Sequence, residues 1–287
     1  MAQTCYRHPD RETGVSCSSC GRPICPDCMT PTPVGMRCPE CMRQRTKVVQ
    51  GVGGGGQLGR FPVTMALIAI NVAVYLVEIA SGTGGLEGSH SQVYYEFAVY
   101  GGGGNPLLHL IAGGGGVAGG EWYRLLTGGF LHASVTHILF NMVALFFLGR
   151  LVEPALGAAR FLGLYFASLL AGSFGALLLS GSEAFTVGAS GAIFGLAAAT
   201  FVLARGRGLD AIATQVGFLI VLNLAFTLAI PGISIGGHLG GLIGGGICAL
   251  AVVAGEKGML GRRHREAEFA VMALVAVVSV LGALAVA

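Results

Sequence analysis

The sequence predicts an all-α polytopic membrane protein with a small cysteine-rich unit at its front, and three observations carry that reading. Only 11% of the 287 residues are charged and 53% are apolar, whereas about 25% of an average soluble protein is charged. Several stretches of about 20 residues carry no charge at all, the length needed to cross a ~30 Å hydrocarbon core. Seven of the eight cysteines fall before residue 42, leaving Cys248 alone among the apolar stretches, where it reads as a small core residue. The net charge of +3 is too small to imply nucleic acid as a partner.

The front unit, residues 1–42, carries four spaced pairs: Cys5-x2-His8, Cys17-x2-Cys20, Cys25-x2-Cys28 and Cys38-x2-Cys41. Eight such donors suffice for two tetrahedral sites, and a Cys-x2-Cys turn lets two thiolates reach one ion without straining the backbone. Thiols in a reducing cytosol stay out of disulfides, so two structural zinc ions are the expected occupants. The pattern is similar to B-box-like and RING-like cross-braces, where the first and third pairs share one ion and the second and fourth the other. Consecutive pairing is the alternative. A unit of about 40 residues buries too little core to fold alone, so the metals supply its stability. Every coordination position is filled, which leaves no open site for catalysis, and the unit reads as a knob for a cytoplasmic protein partner. The chain opens on these ligands rather than on an apolar stretch, so no cleaved signal is expected.

Residues 43–60 are basic at first and then Gly-rich, the composition of a flexible linker. Apolar segments follow at about 62–80, 131–151, 160–180, 188–204, 209–230, 234–254 and 267–286, which predicts seven membrane helices. Residues 61–255 form the membrane core, and 256–287 add a basic loop and a last helix. If the N-terminus is cytoplasmic, sixteen of the seventeen Lys and Arg residues lie inside and only Arg124 lies outside. The excess of positive charge on cytoplasmic loops then puts the N-terminus in the cytoplasm and the C-terminus outside a cell membrane. The glycine runs 101–104 and 113–116 have no Lys-Ser/Thr after them, so they read as a loose insertion between helices rather than a phosphate loop.

Ionisable and polar groups inside a bilayer are costly and therefore functional candidates. His137 and Asn141 stand four apart, on one face of the second helix. Ser190 opens the fourth helix within Gly188-Ala189-Ser190-Gly191, and His238 lies near the start of the sixth, within Gly236-Gly237-His238-Leu239-Gly240-Gly241. The second, fourth and sixth helices all run from outside to inside, so these residues converge on one layer roughly 10 Å or less below the outer surface. A serine hydroxyl needs a base to become a nucleophile, and His238 is the one available. No Asp or Glu lies within these helices to orient it, which makes a dyad. The backbone N–H of Ser190, with His137 and Asn141, supplies donors for an oxyanion. Gly191 and Gly195 on one helix, and Gly237, Gly241 and Gly245 on the other, form small-xxx-small faces that bring the two backbones close.

Five pieces in order carry a family resemblance: Glu121-Trp122-Tyr123-Arg124, His137-Ile138-Leu139-Phe140-Asn141, Glu153-x3-Gly157, Gly188-x-Ser190-Gly191-x3-Gly195 and His238-x2-Gly241-x3-Gly245. The chain resembles the rhomboid intramembrane serine proteases. The resemblance implies a six-helix core, extended here by a seventh helix. It implies Ser190 as nucleophile, His238 as base, and His137 and Asn141 at the oxyanion. It also implies Trp122 and Arg124 as a loop pair at the membrane interface and Glu153 as a buried polar anchor. Its expected substrates are transmembrane segments of other membrane proteins, cut near the outer face. A rhomboid-like protein that binds such helices without cutting them is the alternative. Glu78 is expected to reach out to water, and His132 either to line the site or to be a satisfied polar residue within the bundle.

Overall fold

The computed structural model describes residues 3–32, 35–43 and 61–287. The chain forms two units, Met1–Gly55 and Gly56–Ala287. The linker expected at 43–60 lies, from residue 44 onward, outside the described residues.

In the first unit, β1 (Gln3–Thr4) pairs antiparallel with β2 (Glu12–Thr13), and β3 (Thr30–Thr32) with β4 (Gly35–Arg37), before the short helix α1 (Pro39–Arg43). Its buried cluster consists of Cys5, Cys17, Cys25, Cys28, Cys38, Cys41 and a single aliphatic residue, Ile24. Thiols occupy the place of a hydrophobic core.

The second unit is built on α2 (Pro62–Ser81), α6 (Val135–Leu156), α7 (Ala158–Ser180), α8 (Ser190–Gly206), α9 (Asp210–Ala229), α10 (Ile235–Glu256) and α11 (His264–Val286). Six of these are long and apolar enough to cross a membrane, and α8 is a shorter apolar helix of 17 residues. The chain is a multi-pass, mostly helical membrane protein. Helix α6 begins at Val135 rather than 131, because the Ser134 side chain accepts the His137 N–H and caps the helix, leaving Leu131 to Ala133 outside it. It also runs on to Leu156, where Glu153 accepts the otherwise unpaired N–H groups of Val63 (2.9 Å) and Thr64 (2.7 Å) at the start of α2. A carboxylate there completes the orphan donors of a helix N-terminus and meets its positive dipole end.

The stretch between α2 and α6 departs from the expected loose insertion. It holds three short helices, α3 (Gln92–Phe97), α4 (Pro106–Ala112) and α5 (Arg124–Thr127). Arg124, expected at the membrane interface, is 1% exposed. Its guanidinium donates to Glu121 Oε2 (2.7 Å) and to the carbonyls of Tyr95 (2.7 Å), Ala98 (3.3 Å) and Ala112 (2.8 Å). The glycine tracts are part of this knot: a Cβ on Gly116 would lie 2.7 Å from the Tyr100 carbonyl. Trp122 alone keeps the exposed position expected of the pair, at 63%. Glu78 does not reach water either. It is fully buried and accepts the His132 N–H at 3.1 Å, closing the chain reversal ahead of α6.

Helix α10 packs between α7 and α8 along a seam of glycines. Gly172 and Gly191 approach each other and the Gly237 carbonyl so closely that a Cβ on either would lie 2.9–3.3 Å from backbone atoms. A Cβ on Gly241 would overlap the Gly191 carbonyl. Without hydrophobic drive between helices in lipid, such backbone contact is the source of packing energy. Gly241→Val is therefore expected to destabilise the bundle by about 3 kcal/mol or more, at the upper end for overpacking. Thermal unfolding in detergent checks this, and an unchanged melting temperature would refute it. Helix α11 docks on α7, with Met272 against Gly163 and Arg160 paired to the buried Glu268 at 3.3 Å.

Candidate active site and metal clusters

Three helix beginnings meet at the site. The loop 181–189 delivers Ser190 as the first residue of α8, after Gly188 has turned the backbone at φ 121°, a conformation that favours glycine. Ser234 caps α10 by accepting the Gly237 N–H (3.1 Å), which sets His238 in the first turn. His238 Nε2 stands 2.9 Å from Ser190 Oγ. The imidazole is stacked on Phe194, one turn into α8, with ring centroids 4.1 Å apart and planes 21° apart. Its other nitrogen, Nδ1, lies 2.7 Å from the Thr227 hydroxyl of α9.

His137 and Asn141 project from α6 towards the loop that carries the serine. A Cβ on Gly188 would stand 2.7 Å from His137 Nε2 and 3.5 Å from Asn141 Nδ2. Among the described residues Asn141 Nδ2 is buried with no hydrogen-bond partner, a donor still open to an acceptor. Ser190, His238, His137 and Asn141 all line one cavity of about 1300 Å³ between α6, α8, α9 and α10. His132 does not line it. It is fully buried beside His137, ring centroids 5.0 Å apart. All four site residues expected from the sequence thus share one cavity. Thr227 and Phe194 belong to the same cluster but were not expected, because Thr227 stands in no motif, Phe194 fills an unspecified position of Gly188-x-Ser190-Gly191-x3-Gly195, and the helix register that aims them is a matter of packing.

The eight candidate ligands of the first unit gather into two sets: Cys5, His8, Cys25 and Cys28, and Cys17, Cys20, Cys38 and Cys41. The pairing is the crossed one, first with third and second with fourth. His8 Nδ1 lies 3.8, 3.3 and 3.5 Å from the sulfurs of Cys5, Cys25 and Cys28, and the Cys20 and Cys38 sulfurs are 3.9 Å apart. A tetrahedron with metal–sulfur bonds of ~2.3 Å has edges of ~3.8 Å, so these donors fit around a single ion in each set. Burial raises the Cys5 thiol, but backbone N–H groups of Arg7, Cys25 and His8 more than offset it and bring it down to about 6. Cys17 comes down to about 6 in the same way, through Cys38, Ser19 and Cys20. Cys28 in the first set is pushed up to about 11 by burial and its neighbouring thiols, and Cys41 in the second up to about 12 by Cys38 and Cys20, so each set holds one readily ionised thiol beside one that resists ionisation.

Residues 119–255 match the sequence model of the Rhomboid domain family. The putative rhomboid protease YdcA of Bacillus subtilis (strain 168) is 39% identical over 134 residues, 45% of this chain and 67% of that protein. The chain belongs to the rhomboid family. Rhomboid protease GluP of the same organism is 40% identical over 150 residues, 51% of this chain but only 29% of GluP. Rhomboid protease AarA of Providencia stuartii is 29% identical over 159 residues, 50% of this chain and 52% of AarA. The rhomboid match takes in α5 to α9, α10 up to Gly255, and Ser190, His238, His137, Asn141, Thr227 and Phe194. The metal-ligand sets, α2 and α11 lie outside it.

Proposed function

We propose that this rhomboid-family protein is an intramembrane serine endopeptidase, with Ser190 as nucleophile and His238 as base. The observation that carries the reading is the 2.9 Å approach of Ser190 Oγ to His238 Nε2 inside a cavity of about 1300 Å³. His238 accepts the Ser190 proton as Oγ attacks a substrate carbonyl, and the imidazolium then returns that proton to the leaving amine. A water, deprotonated by the same imidazole, hydrolyses the acyl-enzyme. Oxyanion donors are the Ser190 N–H, which has no intrahelical acceptor at the first residue of α8, and the side chains of His137 and Asn141. The substrates are transmembrane segments of other proteins, entering the cavity near the outer face, with the N-terminus of this chain in the cytoplasm.

His137→Ala is expected to lower kcat about 10²-fold, the effect of removing one oxyanion donor, while fluorophosphonate still labels Ser190. Cleavage of a single-span substrate by the purified variant measures it. A rate equal to wild type would remove His137 from the chemistry.

For the first unit, the reading is two structural zinc ions, one in each ligand set. Cys5, His8, Cys25 and Cys28 would hold one and Cys17, Cys20, Cys38 and Cys41 the other, and the ions would supply the cross-links that Ile24 alone cannot.

A further inference from the structure

We propose that Thr227 is a positioning residue for this reaction, holding His238 in the single tautomer that can serve as base to Ser190. The sequence offers no carboxylate for this task, and the site puts a hydroxyl there instead. Thr227 is 3% exposed and one of only three buried residues on α9, a helix whose remaining side chains are mostly exposed or half-buried.

One proton assignment satisfies every group in the chain of contacts. Thr227 Oγ1 lies 2.8 Å from the Asn223 carbonyl and 2.7 Å from His238 Nδ1. A carbonyl only accepts, so the single hydroxyl hydrogen goes to Asn223, the usual bond of a helical threonine to the carbonyl one turn back. The hydroxyl oxygen then offers lone pairs to Nδ1, which must carry the hydrogen. A neutral imidazole protonated at Nδ1 is an acceptor at Nε2, the atom 2.9 Å from Ser190 Oγ. The opposite tautomer would point a hydrogen at the serine and could not take its proton. Stacking on Phe194 fixes the ring plane, and Thr227 fixes which edge is acid. In the reaction, Nδ1 keeps its hydrogen throughout, and only the Ser190 proton moves, to Nε2 and on to the leaving amine.

The catalytic consequence rests on the serine-protease reading, whereas the tautomer does not. Thr227→Val keeps the volume and removes the acceptor; Thr227→Ser restores it. In purified full-length protein, Thr227→Val is expected to lower kcat for a single-span substrate about tenfold, the worth of one net hydrogen bond, with KM within about twofold. Thr227→Ser is expected to recover most of the rate. Nitrogen NMR of histidine-labelled protein, with the His238 signals identified by their loss in His238→Ala, reads the proton directly. It is expected on Nδ1 in wild type and the serine variant, and divided between both nitrogens in the valine variant. Equal kcat in wild type and Thr227→Val, or a His238 proton unmoved by the valine, would overturn the proposal. So would a serine variant as slow as the valine one. If wild type neither cleaves nor labels with fluorophosphonate, the protease reading fails, and the NMR arm still decides the tautomer.

Discussion

Ser190→Ala is expected to insert, fold and elute as wild type does and to cleave a single-span substrate at least about 10⁴-fold more slowly, the scale on which nucleophile removal acts. The change deletes one half-buried oxygen at the start of α8, where no backbone bond depends on it. The structural contribution of the seam is carried by Gly191, Gly195, Gly237 and Gly241 and is untouched. Activity and stability should therefore separate cleanly. Cleavage assay and thermal unfolding on the same preparation measure both. If Ser190→Ala retained wild-type rates, the catalytic serine would lie elsewhere. If the wild type itself were folded and inert, the helix-binding alternative would lead.

Stripping metal from the first unit, or replacing Cys17 with Ser, is expected to unfold residues 3–43 while the helical unit keeps its melting temperature. The seven residues of the unit's buried cluster include six cysteines, so nearly all its interior is ligand. Zinc binding to comparable peptides supplies about 10–16 kcal/mol of apparent free energy, far more than one buried isoleucine, at about 2–3 kcal/mol, can replace. Amide exchange after chelation, with metal analysis for two equivalents of zinc, checks the outcome. Retained protection in the chelated unit would show a fold independent of metal. Proteolysis of a small substrate is expected to persist, since every residue of the cavity belongs to the second unit.

Much of this was legible in the sequence because membranes restrict the vocabulary. Stretches without charge marked the helices, and the glycine frames at two helix starts marked the serine and histidine that meet in one cavity. The crossed grouping of the Cys/His pairs was one of two arrangements left open by the Cys-x2-Cys spacing, and only three-dimensional proximity distinguishes it from the consecutive one. Other features depend on partners remote in sequence. Glu78 is buried because the His132 N–H, 54 residues on, needs an acceptor. Arg124 is buried because three carbonyls from the preceding segment converge on it. The glycine tracts read as loose since composition shows freedom and not the contacts that remove it. Thr227 was invisible for a related reason: a threonine in an apolar helix usually bonds only its own backbone, and nothing in sequence marks the one that also meets a histidine.

Whether His238 activates Ser190 can be read by intact and peptide mass spectrometry of fluorophosphonate-treated protein. Wild type is expected to gain one adduct, on the peptide carrying Ser190, and His238→Ala to remain unmodified although its serine is intact. An adduct on a different residue, or equal labelling of Ser190 without His238, would rule out activation of Ser190 by His238.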